Sequence, residues 1–329
     1  SNTTSHYPMY PFRNILFPYN FSSNSLTALK YAAAFARDGR GRVIVLNVQN
    51  GKVPADILRA PEHLFENNED RWLLQLRNEL KDLLADPLLT GIEIDPYVVE
   101  GEPSAAIAQS TMDHEIDLIT IVTRARKGLS RALGGSMAED IIASAGCPVL
   151  VMKPPQRDFV QHRQGQSHIH LKRILLATNF RPSAVAATQL VGQMANHVGA
   201  ELHALYVIGD YFDQISAVFP EGGIAALTRF RSYVSERMAQ LARKDGPRTS
   251  THISEGRPYE EIIRKAAELE TDLIVIGTGV HTSLFGGNLV LGSDIERVIR
   301  NAPCPVLCVP AAKVLTPLPA LVTQTVPQT

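Results

Sequence analysis

The chain has 329 residues, 45% apolar and 20% charged, an ordinary globular composition for which about 150 residues per domain predicts two domains. With 32 basic against 33 acidic side chains the formal charge is -1, which gives no general attraction to nucleic acid or anionic membrane, and no apolar run approaches the ~20 residues of a bilayer span. Three cysteines cannot build a disulfide framework, and the first twenty residues hold no apolar signal-peptide core, so a cytoplasmic protein is expected.

Short apolar strands alternate with helical patterns along the chain. Ile15 to Phe17 reads as a strand, and Ser22 opens a helix whose face runs through Leu26, Leu29, Ala33 and Ala36. Gly39 and Gly41 end it before the strand Val43 to Leu46. Trp72 to Leu84 repeats leucines at helical spacing. Ile94 to Val99 reads as strand, Pro103 to Met112 as helix, Leu118 to Val122 as strand, Ala138 to Ala145 as helix and Val149 to Val151 as a closing strand. Pro154 to His170 is poor in apolar residues and reads as a linker. The alternation then runs again from Ile174 to Val309, and residues 313–329 read as a loose tail rich in Pro, Thr and Gln.

The second run copies the first. Arg13 to Phe21 resembles Lys172 to Phe180, with Asn20 and Asn179 standing 159 residues apart. Glu100-Gly-Glu-Pro103 matches Glu255-Gly-Arg-Pro258, Asp117-Leu-Ile matches Asp272-Leu-Ile, and Cys147-Pro-Val-Leu150 matches Cys304-Pro-Val-Leu307. The landmarks keep their order, so the chain is a tandem duplication. In each copy, apolar strands alternating with helices imply a parallel α/β sheet covered on both faces. Ligands of such sheets bind beyond the carboxyl ends of the strands. That rim holds Asn20, the Val48 turn and the loops after Val122 and Ile276.

The loop after Ile276 is the chemically suggestive one. It carries Gly277, Gly279, Gly286 and Gly287, and ends at Gly292-Ser293 before a helix that opens on Asp294. Glycines allow close backbone approach, and a helix start offers unpaired N–H donors to phosphate. Turn glycines followed by an N-cap serine would give the same spacing. No Lys-Ser or Lys-Thr follows, so this is not a Walker loop.

The first-strand turn, the Gly-x-Pro after the third strand, the loop ending Gly-Ser and the closing Cys-Pro-Val-Leu together resemble the universal stress protein family in its tandem form. The stretch Gly292 to Leu307 carries most of the likeness. The resemblance covers residues 12–153 and 171–312 and implies two tandem doubly wound α/β domains there, each with a five-stranded parallel sheet of the adenine nucleotide alpha hydrolase-like, Rossmann-like kind. In the nucleotide-binding branch it also implies ATP held by Gly-x2-Gly-x9-Gly-Ser, with adenosine against the first-strand turn and a valine ending the second strand. Closing strands pair across a dimer in that family, so an intrachain pseudo-dimer is expected here, with further homodimerisation left open.

Both halves depart from the pattern. In the first, Val122 and Ala125 replace the two earlier glycines ahead of Gly135-Ser136; in the second, Val280 replaces one and the spacing grows by two residues. Asn20 and Asn179 stand where that branch has acids. The second half is therefore the expected site, lined by Ala177, Thr178, Asn179, Val207, Ile276, Gly277, Gly279, Gly292, Ser293 and Asp294. The expected ligand is ATP or another adenine nucleotide, with or without Mg2+. The expected role is stress-response regulation, alone or through protein partners, with at most weak ATPase activity. A nucleotide-free scaffold for partner proteins is the alternative. His281 is a further candidate phosphate contact. Arg124, Arg126, Lys127 and Arg131 form a basic loop at the first half's equivalent place, where a solvated loop and an anion contact are both open readings.

Overall fold

The computed structural model describes residues 12–20, 22, 25–50, 52–53, 57–59, 71–123, 137–163, 166–209, 220–245, 248–282 and 289–311. In the N-terminal half, strands β1 (Asn14–Pro18), β2 (Arg42–Gln49), β3 (Glu93–Glu100), β4 (Leu118–Val122) and β5 (Val149–Met152) alternate with helices α1 (Ser25–Asp38), α2 (Arg71–Leu84), α3 (Pro103–Asp113) and α4 (Met137–Ser144). A hairpin, β6 (Val160–Arg163) and β7 (Gln166–Ile169), precedes the C-terminal half. That half comprises β8 (Arg173–Thr178), α5 (Pro182–Val198), β9 (Glu201–Ile208), α6 (Pro220–Asp245), β10 (Thr249–Glu255), α7 (Pro258–Glu268), β11 (Leu273–Thr278), β12 (Val280–Thr282), β13 (Leu289–Leu291), α8 (Ser293–Asn301) and β14 (Val306–Pro310).

The halves share one sheet. Its order is β10-β9-β8-β11-β14-β5-β4-β1-β2-β3, ten strands in which each half contributes five parallel ones. The intrachain pairing expected of the closing strands is present: β14 and β5 run antiparallel, with Val306 opposite Val151, Leu307 opposite Leu150 and Cys308 opposite Val149. Strand side chains alternate between faces, so this register keeps two cores continuous through the junction. Leu150 and Leu307 join the core under α1 and α5, while Val149, Val151, Val306 and Cys308 join the one under α3, α4, α7 and α8. All six are nearly inaccessible to water. Burial of such side chains stabilises by about 1.5–3 kcal/mol each, and the pairing removes two exposed apolar edges.

The repeated landmarks have repeated causes. Asp117 accepts the amides of Arg13 and Asn14, both at 2.9 Å, and Asp272 accepts those of Lys172 and Arg173 at 2.8 and 3.0 Å, so one carboxylate clamps the first strand of each half. Gly101 and Gly256 adopt φ of 137° and 134°, which disfavours any side chain, and Pro103 and Pro258 then open α3 and α7 with a pre-set φ and no N–H to satisfy.

The segment expected as a linker is folded. Phe159 and Val160 are buried, and the rings of Tyr31 and Phe35 on α1 meet Phe159 edge-on at 4.9 and 6.2 Å. Asp158 accepts the Tyr31 hydroxyl at 2.8 Å and pairs with Lys30, while Arg37 donates to the Ser167 carbonyl at 3.1 Å. The apolar residues here are too few to give a periodic signal, yet α1 supplies the other half of their contacts.

On the outer strands, Nδ1 of His203 lies 3.3 Å from Nε2 of His252, with Lys265 and Glu268 of α7 nearby. Burial lowers the pKa of both rings below the usual 6.5. The unfolded chain therefore takes up these protons first, and the stability of the neutral pair is complete above about pH 6.5 and lost as pH falls below it. Thermal melts should show Tm dropping between pH 7 and 5, with a smaller drop in His252→Gln. An unchanged drop would place the acid sensitivity elsewhere.

Candidate functional site

In the C-terminal half the sheet order changes direction between β8 and β11, because β8 leads outward through β9 to β10 before the chain returns on its other side. The crevice beyond the carboxyl ends of those two strands is where such a fold takes ligand. Strand alternation sorts the expected residues around it. Ala177, Val207 and Ile276 belong to the face under α7 and α8, whose first turn is formed by Ser293 and Asp294. Thr178 and Gly277 fall on the opposite face, toward α5. Asn179 is exposed at the rim, where its Oδ1 accepts the Arg181 amide at 3.1 Å in the turn that starts α5.

The glycines do different work. A Cβ on Gly277 would lie 2.5 Å from the Ala184 amide nitrogen and the Ser183 carbonyl carbon, so this residue is glycine because β11 and the first turn of α5 pack backbone to backbone. On Gly279 a Cβ would meet nothing within 4 Å, and that position faces open space. Gly292, not Ser293, is the N-cap of α8, with φ -61° and its carbonyl accepting from Ile295 and Glu296 at 3.0 and 3.3 Å. The capping serine considered above is thus corrected. Ser293 already has helical geometry, and no side chain caps the helix. The amides of Ser293 and Asp294 at the helix start thus have no side-chain cap, while those of Ile295 and Glu296 are taken by the Gly292 carbonyl.

Sequence reasoning missed Thr278. It ends β11 at 2% exposure, on the same face as Ile276, and its hydroxyl has no hydrogen-bond partner among the described residues. A buried hydroxyl without a partner costs free energy, and in native structures such a group calls for an explanation. A threonine following a glycine in an apolar strand was the available signal. The loop itself forms an antiparallel ribbon, with Val280 opposite Leu291, His281 opposite Val290 and Thr282 opposite Leu289. Leu291 joins Ala138, Ile141 and Ile142 of α4 in one core, and Arg300 of α8 bridges to Glu139 of α4 at 3.1 Å. The second half's loop is therefore braced against the first half. Residues 283–288 lie outside the described residues.

In the first half the described polar side chains at the rim bond to their own neighbours. Asn47 donates to the Tyr19 carbonyl at 2.7 Å and accepts from Gln49 at 2.6 Å, and Asn20 Oδ1 accepts the Ser22 amide and the Ser25 hydroxyl at 3.2 and 2.7 Å. Val122 packs partly buried where Gly277 stands in the repeat. Ala125, Gly135, Ser136 and the basic residues Arg124, Arg126, Lys127 and Arg131 lie outside the described residues.

Other chemistry is sparse. The thiols of Cys147, Cys304 and Cys308 are free and buried, and desolvation pushes the pKa of the latter two up to about 12. Met112 and Met137, by contrast, are half exposed. No group of three or more His, Cys, Asp or Glu among the described residues is arranged to hold a metal, and no described helix is long and apolar enough to cross a membrane. Asn179 brings no charge to a cation, and its side-chain oxygen is engaged by the Arg181 amide.

Two doubly wound units of the same strand order, joined in one mostly parallel sheet, define a tandem α/β protein of the Rossmann-like class. The family model described as "Universal stress protein family" matches residues 11–153 and again 170–310, and the chain belongs to that family. A universal stress protein of Thermus aquaticus is 35% identical over 141 residues, covering 42% of this chain and 98% of that protein. One from Methanocaldococcus jannaschii is 29% identical over 147 residues, covering 45% and 85%. The crystal structure of a universal stress protein from Archaeoglobus fulgidus superposes with a TM-score of 0.59 at 22% identity over 91% of this chain and 98% of its own, a likeness of fold.

The two glycines separate packing from binding. Gly277→Ala should cost about 1–3 kcal/mol or more through backbone overpacking, lowering Tm by several degrees. Gly292→Ala, whose Cβ would meet only Ile295 at 3.9 Å, should cost at most about 1 kcal/mol as a poorer cap. Equal Tm losses in calorimetry would refute this division.

Proposed function

We propose that the chain is a stress-response regulator, acting in the cytoplasm, that binds an adenine nucleotide, ATP in the first instance, at the rim of its C-terminal half. The supporting observation is the coincidence on one sheet face of the buried, unpartnered Thr278 hydroxyl with the start of α8, which no side chain caps. Phosphate supplies the acceptors both need. Gly279, Gly292 and Ser293 would cradle the phosphates, with Thr278 donating from below. Ala177, Val207 and Ile276 would form the apolar wall for adenosine, and Asn179 would meet the ribose. Asp294 on the first turn opposes a highly charged tail, which makes Mg2+ from solution useful for ATP and unnecessary for AMP.

The N-terminal half, with its rim amide network satisfied internally, holds the fold and serves as the wall against which the loop is braced. A nucleotide-free scaffold is the second reading, favoured by the two-residue lengthening of the loop and by Asn at both first-strand turns. Among the described residues of the site no general base stands beside a nucleophile, and binding rather than turnover is the function proposed.

Denaturing the purified protein and weighing the released small molecules should give close to one equivalent of adenine nucleotide. Thr278→Val should leave Tm unchanged or raised, since it removes an unsatisfied hydroxyl, and yet weaken nucleotide binding about tenfold. Gly292→Val should empty the site with its circular dichroism intact. An empty wild-type protein showing no thermal shift in millimolar ATP with Mg2+ would leave the scaffold reading standing.

A further inference from the structure

A cavity of about 1000 Å³ lies at the opposite end of the C-terminal sheet from the proposed nucleotide rim. Its walls come from the starts of β8, β9 and β10, the end of α5 and the last residues of the connector hairpin. The charged groups on those walls are Lys172, Arg173 and Arg248 against Glu201, with His170 beside them.

The duplication supplies an internal control. The equivalent places in the first half are Arg13, Asn14, Arg42, Glu93 and Asp95, because Arg42 pairs with Glu93 and Ile44 with Asp95 in the same parallel register that sets His203 beside Ser250. There, two cations meet two anions, and Arg42 closes the space by donating to Asp95 at 2.5 Å and to Asn14 at 3.0 Å. In the second half the same five places read Lys172, Arg173, Glu201, Arg248 and Ser250. Three cations now face one anion, and the closing ion pair is gone. A balanced, filled corner in one copy has become a basic, open one in the other, on the same backbone.

The nearby acceptors are already engaged. Asp272 is held by two backbone amides, Glu270 takes one arm of Arg173 at 3.2 Å, and Arg248 covers the Gly199 carbonyl at 2.6 Å, offsetting the negative end of α5. The Lys172 ammonium has no carboxylate within 4 Å among the described residues. Like charges gathered round an open space repel one another unless an anion sits between them.

We infer that this cavity is a second ligand site, distinct from the nucleotide rim, that takes a small anion carrying two or more phosphate groups. Lys172 provides the free charge, and Arg173 and Arg248 orient the ligand with the guanidinium arms that Glu270 and the Gly199 carbonyl leave available. Ile169, His170 and Leu171 of the connector form one wall, and His197 of α5 reaches across to Asp38 of α1 at 3.1 Å beside it. Occupancy therefore tightens the place where the connector, α1 and α5 meet.

The test is calorimetric titration of the full chain with inorganic tripolyphosphate at about 50 mM and about 200 mM salt, with hydrogen exchange as a map. Expected are saturable binding that weakens at the higher salt and protection of the amides of 169–173 and 198–201. Lys172→Gln should weaken it about fivefold and Lys172→Glu more than about tenfold, both at an exposed position that leaves the fold intact. Gly292→Val should leave it unchanged, so the result stands whether or not the nucleotide reading does. No saturable binding, binding by Lys172→Glu equal to wild type, or loss of binding in Gly292→Val would each overturn the inference.

Discussion

The three-residue antiparallel pairing of β5 with β14 is the constraint from which the rest of the architecture follows. Each half ends in a short strand of buried apolar residues, and a sheet edge of that kind cannot be left to water. Joining the two edges puts Leu150 against Leu307 on one face and Val151 against Val306 on the other. Neither core is then divided at the boundary between the halves. The helices that flank the junction, α4 and α8, come close enough for Arg300 to reach Glu139 and for Leu291 to enter the core of α4. A loop that belongs to one half thereby acquires a wall from the other.

Within that frame the two copies have diverged at both ends of their sheets. At the carboxyl end, the first copy has satisfied its rim with Asn47, Gln49 and Asn20, while the second leaves Thr278 and the start of α8 open. At the amino end, the first copy is sealed by Arg42 and Asp95, while the second is basic and hollow. The clamps that hold the scaffold, Asp117 and Asp272, are the same in both. Backbone geometry has been kept and surface chemistry has been reassigned, which is the usual division between a fold and its sites.

Much of this was legible in the residues. Apolar strands at repeated spacing, with Gly-x-Pro and Cys-Pro-Val-Leu recurring in order, specify two doubly wound units, because those signals are local and each copy checks the other. The folded connector was not legible, since Phe159 and Val160 find their partners on α1 more than a hundred residues earlier and leave no periodic trace. Gly277 illustrates the same limit at the site. In sequence it is one more glycine of a phosphate loop, whereas in space it is the point where two backbones touch. Thr278 carries the converse lesson, because a hydroxyl's lack of a partner is a property of its surroundings. The cap position moved by one residue to Gly292 because side-chain preference favours serine there and the chain geometry does not.

The buried thiols bear on the kind of chemical insult this protein can register. Burial pushes the pKa of Cys304 and Cys308 up to about 12, which disfavours the reactive thiolate at neutral pH, and all three cysteines are shielded from solvent. Peroxides and electrophiles that read the cell's redox state through sulfur nucleophiles have no purchase on them. Among the described residues, the sulfur atoms that oxidants meet first are the thioethers of Met112 and Met137, exposed near the end of α3 and at the start of α4. Oxidation there yields sulfoxides that cellular reductases reverse, without crossing a core or making a disulfide. Among the described residues, sulfur oxidation is thereby directed to surface thioethers and away from the buried thiols.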